Sequence, residues 1–422
     1  MTEPDTEVLR LSNGVRVAVS RLSHLRSVYL SVFVRTGSAH EAPALNGISH
    51  FAEHMAFKGT HERSCQQINL DAERLGAEVN AHTDKEHTAY HIRGLAPHAE
   101  RFVHLLGDIV LNSAFPEAEL ERERQVILQE LLEDEDDGLS TAFKLFDKLC
   151  FGSHPVGQPV IGTRRNIERF TRAELQAYVQ RQYTGANLVL AVAGDVDPQA
   201  IARAAEQAFG GLPAGQANEV APAHYAGGLA TRRLAGVGQT HIVLGFPIAS
   251  LREPHHADVM AAAVLGEGMS SPLMDEIRER RGLVYYAACS ADVMSLAGQF
   301  VIEASTSPQH LHEFVAETAR LLRRHAERVD AVDLERARNQ LALRQLDIHE
   351  RPFRRLEETA QDLFVHGRVR PRQQWTERLE AVSADDVRSV FQRMLAQGPA
   401  FAAAGKVPAD WKDRTARLLA GP

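Results

Sequence analysis

The stretch Glu119-Leu-Glu-Arg-Glu-Arg-Gln125 returns as Asp333-Leu-Glu-Arg-Ala-Arg-Asn339, 214 residues further along the chain. Two shorter echoes keep almost the same distance. Ile167-Glu168 with Thr171 is answered by Leu379-Glu380 with Ser383, and Gly194-Asp195-Val196 by Gly405-Lys406-Val407. Each match alone is noise. Three in the same order at nearly one offset indicate a duplicated unit of about 200 residues. A chain of 422 residues is also too long for one ordinary core, so two or three domains are expected from size. The reading divides the chain into 1–212 and 229–422. Between them, 213–228 is rich in Gly, Pro, Ala and Asn and poor in apolar periodicity, as a linker would be.

Within the first half, Val15–Leu22 and Ser27–Thr36 are Val-rich and alternate in polarity, as strands do. Leu45–Phe57 reads as a helix, Asn80–Leu95 as one strand, and 97–150 as helical. Asn187–Val196 reads as a buried strand and Pro198–Phe209 as a helix. No regular βαβ alternation runs through either half. The expected class is therefore α+β: two duplicated domains of similar fold, each a mainly antiparallel sheet packed with long helices.

Composition excludes several functions. Hydrophobic residues make up 44% and charged residues 24%, an ordinary globular mix. A net charge of −8 offers no broad basic surface for nucleic acid or anionic lipid. The first residues, MTEPDTEVLR, lack the basic and apolar regions of a secretory signal, and no 18-residue apolar run exists to span a membrane. Cys65, Cys150 and Cys289 are far apart and odd in number, so free thiols in a reducing cytoplasm are expected rather than a disulfide framework.

The chemistry concentrates in His50-Phe51-Ala52-Glu53-His54. On a helix, residues four apart share a face, so both imidazoles can point at one cation. Glu53 lies on the same side and can reach a water on that cation without occupying it. A catalytic site of this kind needs a third protein ligand and one open position, and His2Glu suits zinc. Candidates for the third ligand cluster in 119–137. Glu123 and Glu130 are two turns apart and in phase, with Val126, Ile127 and Leu131 as apolar neighbours. The alternative for these acids is a solvated helix face, which is the preferred reading for 133–137.

The motif in its context, GISHFAEHMAFKGT, with Glu130 lying 76 positions past His54, resembles the inverted zincins of the pitrilysin family. It is most similar to the short-chain branch that includes the mitochondrial processing peptidase β subunit and bacterial relatives. Supporting stretches are NAHTDKEHTAYH at 80–91, HPVGQPVIGT at 154–163 and MSSPLMDEIRERRGLVYY at 269–286. The resemblance implies that His50, His54 and Glu130 ligate one Zn2+ per chain and that Glu53 is the general base. Glu123 is implied as the carboxylate that steadies a ligand histidine. Asn80 and Ala81 are implied on an edge strand that pairs with substrate, with Glu86 as a supporting residue. Arg278 and Tyr285 are implied as aids to substrate binding and oxyanion stabilisation. Their alternatives are a surface arginine and a core tyrosine, and Tyr286 is the rival phenol; the spacing favours Tyr285.

The second half has no H-x-x-E-H: Arg344 falls opposite Glu130 and Ala337 opposite Glu123. The resemblance therefore implies a homodimer, or a heterodimer with a paralogous subunit, enclosing a chamber whose Arg–Tyr pair comes from the partner. One departure stands out. In Gly266–Leu273, Glu267 and Pro272 replace a glycine and a basic residue of the family pattern. The functional reading is a zinc metalloendopeptidase acting on peptides or unfolded segments. Its alternatives are the catalytic subunit of a heterodimer that processes a specific precursor peptide, and a non-catalytic scaffold subunit.

Overall fold

The computed structural model describes residues 6–420. The chain forms two compact units. Unit 1 holds the described residues up to Leu131, Gln158–Val220 and Ile348–Val369; unit 2 holds Leu132–Gly157, Ala221–Asp347 and the described residues from Arg370 on. The sequence echoes lead to an expected division at 1–212 and 229–422. The compact bodies, by contrast, each take one helix from the other half.

Unit 1 is built on six strands: β1 (Thr6–Arg10), β2 (Arg16–Arg21), β3 (Ser27–Val34), β4 (Glu78–Thr83), β5 (Thr88–Leu95) and β6 (Leu188–Gly194). Their order is β1-β2-β6-β3-β5-β4. Every pairing is antiparallel except β2 with β6. Helices α1 (Ile48–Ala56), α2 (Cys65–Arg74), α3 (Ala99–Leu111), α4 (Glu117–Asp136, its first part), α6 (Arg164–Arg169), α7 (Arg172–Gln182), α8 (Pro198–Phe209) and α12 (Pro352–His366) belong to it. One sheet face buries Val17, Val19, Leu30, Val32, Ile92 and Val192 against Phe102, Leu106 and Ile109 of α3 and Ile201 and Phe209 of α8. The opposite face is lined by Ala18, Ala89, Ala191 and Ala193. These small side chains let Leu356, Ala360 and Leu363 of α12 pack close.

Unit 2 carries β7 (Gly228–Arg232), β8 (Thr240–Ile248), β9 (Val284–Val293), β10 (Gly298–Thr306) and β11 (Ala400–Gly405) in the order β7-β11-β8-β10-β9. Its helices are α5 (Gly138–Phe151), α9 (His256–Gly266), α10 (Leu311–Glu327), α11 (Ala331–Glu350, its first part), α13 (Arg372–Glu380), α14 (Ala384–Gln397) and α15 (Trp411–Ala420), with a π-helical turn at Met274–Glu279.

Setting β1 aside, the two sheets have one topology, each with a single parallel pair. The sequence echoes have structural counterparts. Arg124 on α4 donates to the carbonyls of Ile167 and Phe170, and Arg338 on α11 donates to that of Val382. Thr171 with Glu174 opens α7 as a capping box, and Ser383 with Asp386 opens α14 in the same way. The α+β class with duplicated, mainly antiparallel domains is thus observed.

Two stretches differ from the sequence reading. Asn80–Leu95 is not one strand but the second part of β4, a turn and β5. The turn holds neither Gly nor Pro. It is made by the Asp84 carboxylate, which accepts the backbone N–H groups of Glu86 and His87 at 2.7 and 2.6 Å. The helical stretch 97–150 is three helices. It breaks before Pro116, where Phe115 has φ +46°, and again at Asp137, whose side chain accepts the N–H groups of Leu139 and Ser140.

Candidate metal centre

Helix α1 is short and has two chemically distinct sides. Ile48, Phe51, Ala52 and Met55 are buried against Ile127 and Leu131 of α4 and Leu175 and Tyr178 of α7. His50, Glu53 and His54 occupy the remaining side. Nothing in the first turn caps the helix: the residue ahead of it is Gly47, at φ +99°. Glu41 supplies the missing acceptor from six residues upstream. Its buried carboxylate takes Gly47 N–H and Ser49 N–H, both at 2.8 Å, and the Asn46 amide at 3.0 Å. The entry to α1 also passes against Gly162, where a Cβ would lie 2.5 Å from Gly47 Cα. Only glycine allows that backbone approach. The phenol of Tyr178 ties Ser49 to Thr36 at 2.7 and 2.6 Å. The start of the helix is therefore held from several directions.

The second wall is α4. Glu123 and Glu130 project in phase, two turns apart. Glu130 Oε2 stands 3.8 Å from His50 Nε2 and 3.6 Å from His54 Nε2. These separations are too long for hydrogen bonds. They lie close to the roughly 3.3 Å edge of a tetrahedron with ligand bonds of about 2.0–2.1 Å. Among the described residues, His50, His54 and Glu130 are the one trio of such groups gathered within 4.8 Å.

The protonation states suit ligation. Burial, helped by neighbouring His54, pushes the His50 imidazole down to about 3, so it presents a lone pair at neutral pH. His54 Nδ1 lies 3.1 Å from Glu123 Oε2, which makes Nδ1 the donor and leaves Nε2 free to face Glu130. Glu123 is itself buried, and its second oxygen takes the Lys58 ammonium at 2.7 Å. His50 Nδ1 is buried without a hydrogen-bond partner among the described residues, so no described carboxylate selects its tautomer. The donor set of two imidazoles and one carboxylate fits zinc.

Glu53 lies beside the trio, and its Oε2 accepts the Thr83 hydroxyl at 2.7 Å. Burial raises its carboxyl above the usual range, and nearby Glu130 adds to the rise against the opposing pull of Thr83 and His54. Thr83 ends β4, the edge strand of the sheet. Asn80 and Ala81 lie on the same strand, opposite His91 and Tyr90 of β5, and the strand's other side is unpaired by any described strand. The Ala81 N–H is taken by the Asn80 side-chain oxygen at 2.8 Å. Glu86 lies in the β4–β5 turn.

Arg278 and Tyr285 belong to unit 2. The Arg278 guanidinium lies over the Tyr285 ring, 5.8 Å from its centroid, and the tyrosine is 87% exposed. The Tyr286 phenol instead donates to Glu303 at 2.5 Å, so it is already engaged. The departing loop is anchored too: Glu267 pairs with Arg344, and Arg336 donates to the Glu267 carbonyl. The counterpart of Glu130 in unit 2 is thus a cation bound to the altered loop. Sequence reasoning missed Glu41, Lys58 and Thr83. Thr83 was within reach of the period-two pattern of β4, whereas Glu41 and Lys58 carry no local signature.

Comparison with known proteins gives the family of the chain. Residues 16–164 match the model for Insulinase (Peptidase family M16), and residues 169–341 match the Peptidase M16 inactive domain. The chain is 32% identical to an uncharacterized zinc protease of Rickettsia bellii, over 94% of this chain and 97% of that one. It is 33% identical to the uncharacterized zinc protease YmxG of Bacillus subtilis, over 78% and 81%. In fold it is similar to a protease from Helicobacter pylori, with a TM-score of 0.84 at 20% identity over 96% of this chain and 100% of that one. A peptidase M16 inactive domain from Pseudomonas fluorescens gives 0.85 at 20%, over 96% and 99%. Matched in both halves and aligned to its zinc-protease relatives over most of its length, the chain belongs to peptidase family M16, the insulinase or pitrilysin family.

Proposed function

We propose that the protein is a zinc-dependent endopeptidase acting on extended peptides. The observation that carries this reading is the convergence of His50 Nε2, His54 Nε2 and Glu130 Oε2 beside the raised carboxyl of Glu53. His50, His54 and Glu130 would hold the metal. Zinc bound there supplies a Lewis acid that polarises a carbonyl and acidifies water. Glu53 takes the proton of the attacking water and returns it to the departing amine, a dual task suited to a carboxyl that burial raises above its usual range. Thr83 keeps one oxygen of Glu53 occupied and so orients the other. Glu123 fixes the His54 tautomer and neutralises Lys58.

Substrate is assigned to the open side of β4 by strand addition, which reads backbone and tolerates many side chains. Ala81 N–H is the natural donor there once Asn80 turns away. Arg278 and Tyr285 are assigned to the substrate and the developing negative charge. Their exposed, stacked pairing supports that role, and we assign them to the site of a partner chain within a dimer. Digesting a peptide library with the purified chain, with and without chelator, tests the reading. Cleavage abolished by chelator and restored by zinc supports it, whereas chelator-insensitive cleavage contradicts it. If cleavage appears only when a paralogous chain is added, the heterodimeric form is the working one.

A further inference from the structure

Successive side chains of a strand point to opposite faces. Thr83 reaches Glu53 on one side of β4, so His82 projects toward the other, where α12 packs. There His82 Nε2 lies 3.4 Å from His87 Nε2. His87 Nδ1 is 2.9 Å from Asp84 Oδ2, and the other oxygen of Asp84 is fixed by the turn's N–H groups. Asp84 holds the Nδ1 proton of His87 and, against burial, raises the imidazole above its usual range; a cation at Nε2 would displace the second proton and leave Nδ1–H on Asp84, the same pairing that Glu123 offers His54. From α12, Glu357 Oε1 stands 3.8 Å from His82 Nε2, and its other oxygen holds Arg354 at 3.1 Å. All three side chains are partly open to solvent.

We propose that His82, His87 and Glu357 form a second divalent transition-metal site, separate from the His50–His54–Glu130 trio. The two imidazole nitrogens already stand at the roughly 3.3 Å separation of two ligands on one tetrahedral ion. Glu357 is the adjustable third ligand. It now stands nearer His82, with its other oxygen on Arg354, and closes on both imidazoles by rotation of its long side chain. Two imidazoles and a carboxylate select borderline cations such as zinc, cobalt or nickel over calcium or magnesium. Occupancy ties the edge strand β4 to α12, a helix that the second half of the sequence contributes to unit 1.

The test is metal stoichiometry by equilibrium dialysis of the full chain, stripped with chelator and reloaded with zinc alone. Wild type is expected to bind two equivalents. His54→Ala, His82→Ala and His87→Ala should each bind one, and His54→Ala/His82→Ala none. Glu357→Gln, whose effect on folding is smaller, should weaken the second equivalent at least tenfold while leaving the first unchanged. Circular dichroism of the stripped proteins checks that the variants fold. One equivalent in wild type that disappears in His54→Ala and persists in His82→Ala and His87→Ala overturns this inference and leaves the peptidase reading intact. One equivalent that disappears only in the His82 and His87 variants supports the inference and overturns the catalytic metal assignment.

Discussion

Replacing Glu123 with Gln probes the link between fold and metal. The carboxylate is 6% exposed and serves two donors at once: His54 Nδ1 at 3.1 Å and Lys58 Nζ at 2.7 Å. An amide has one acceptor oxygen. If that oxygen faces Lys58, the NH2 group faces His54, and the imidazole must move its proton to Nε2, the atom aimed at Glu130. If it faces His54, the half-buried ammonium loses its partner and its charge stands unneutralised near the metal ligands. Either outcome disfavours a cation at the site. Loss of such an orienting carboxylate weakens metal binding by about 10–100-fold, or roughly 1.4–2.7 kcal/mol. The assay is zinc competition against a chromogenic chelator, with Glu117→Gln, exposed at the start of the same helix, as control. A Glu123→Gln affinity within twofold of wild type would refute the argument that this carboxylate sets the His54 tautomer.

Other expectations follow from the same physics. Glu41→Ala removes three hydrogen bonds to the start of α1, two of them from backbone N–H groups. At about 1–3 kcal/mol for each buried group left unpaired, it should lower stability by roughly 3 kcal/mol or more in urea unfolding and weaken zinc binding; an unchanged midpoint would sink the capping role. Asp386 is held below the usual carboxylate range by the Ser383 hydroxyl and then by the Ser383 backbone N–H. Its folded value is depressed, so its stabilisation is present above the unfolded value near pH 4 and lost as pH falls through the folded one. Asp386→Ala should therefore differ from wild type in urea midpoint at pH 7 and converge with it toward pH 2–3; a gap independent of pH would contradict the capping-box assignment.

The fold was legible where local rules and tertiary structure agree. Pro198–Phe209 is a helix in both readings, because Asp197 caps it, Pro198 starts it and its apolar residues recur at helical spacing. The repeat 119–125 and 333–339 was legible because α4 and α11 play the same part in their units, down to the arginines that hold the following helices. The β4–β5 turn was not legible, because its signal is one aspartate in a run of charged residues. The helix exchange was equally hidden. α5 packs against β7, β8 and β11, and α12 against β3 and β6, yet nothing in either helix's own pattern says which sheet it will cover.

The candidate site divides in the same way. His50, Glu53 and His54 lie within one helical turn, so the spacing alone placed them together. Glu130 and Glu123 could be put in phase with each other, but joining them to α1 took the resemblance, since the contact depends on how Phe51 and Met55 pack on Ile127 and Leu131. Glu41 was out of reach altogether. Burial makes it a cap, and burial is a property of the folded chain.

The most direct test of the central claim is Glu53→Gln, measured for zinc content and for peptide cleavage in the same preparation. Glu53 lies beside the proposed metal ligands and is not assigned as one, so the variant should bind zinc as wild type does. Its cleavage rate should fall by at least the 10²–10⁴-fold that a general base contributes. Zinc retained with cleavage within a fewfold of wild type would contradict the assignment of Glu53 and, with it, the proposed reaction.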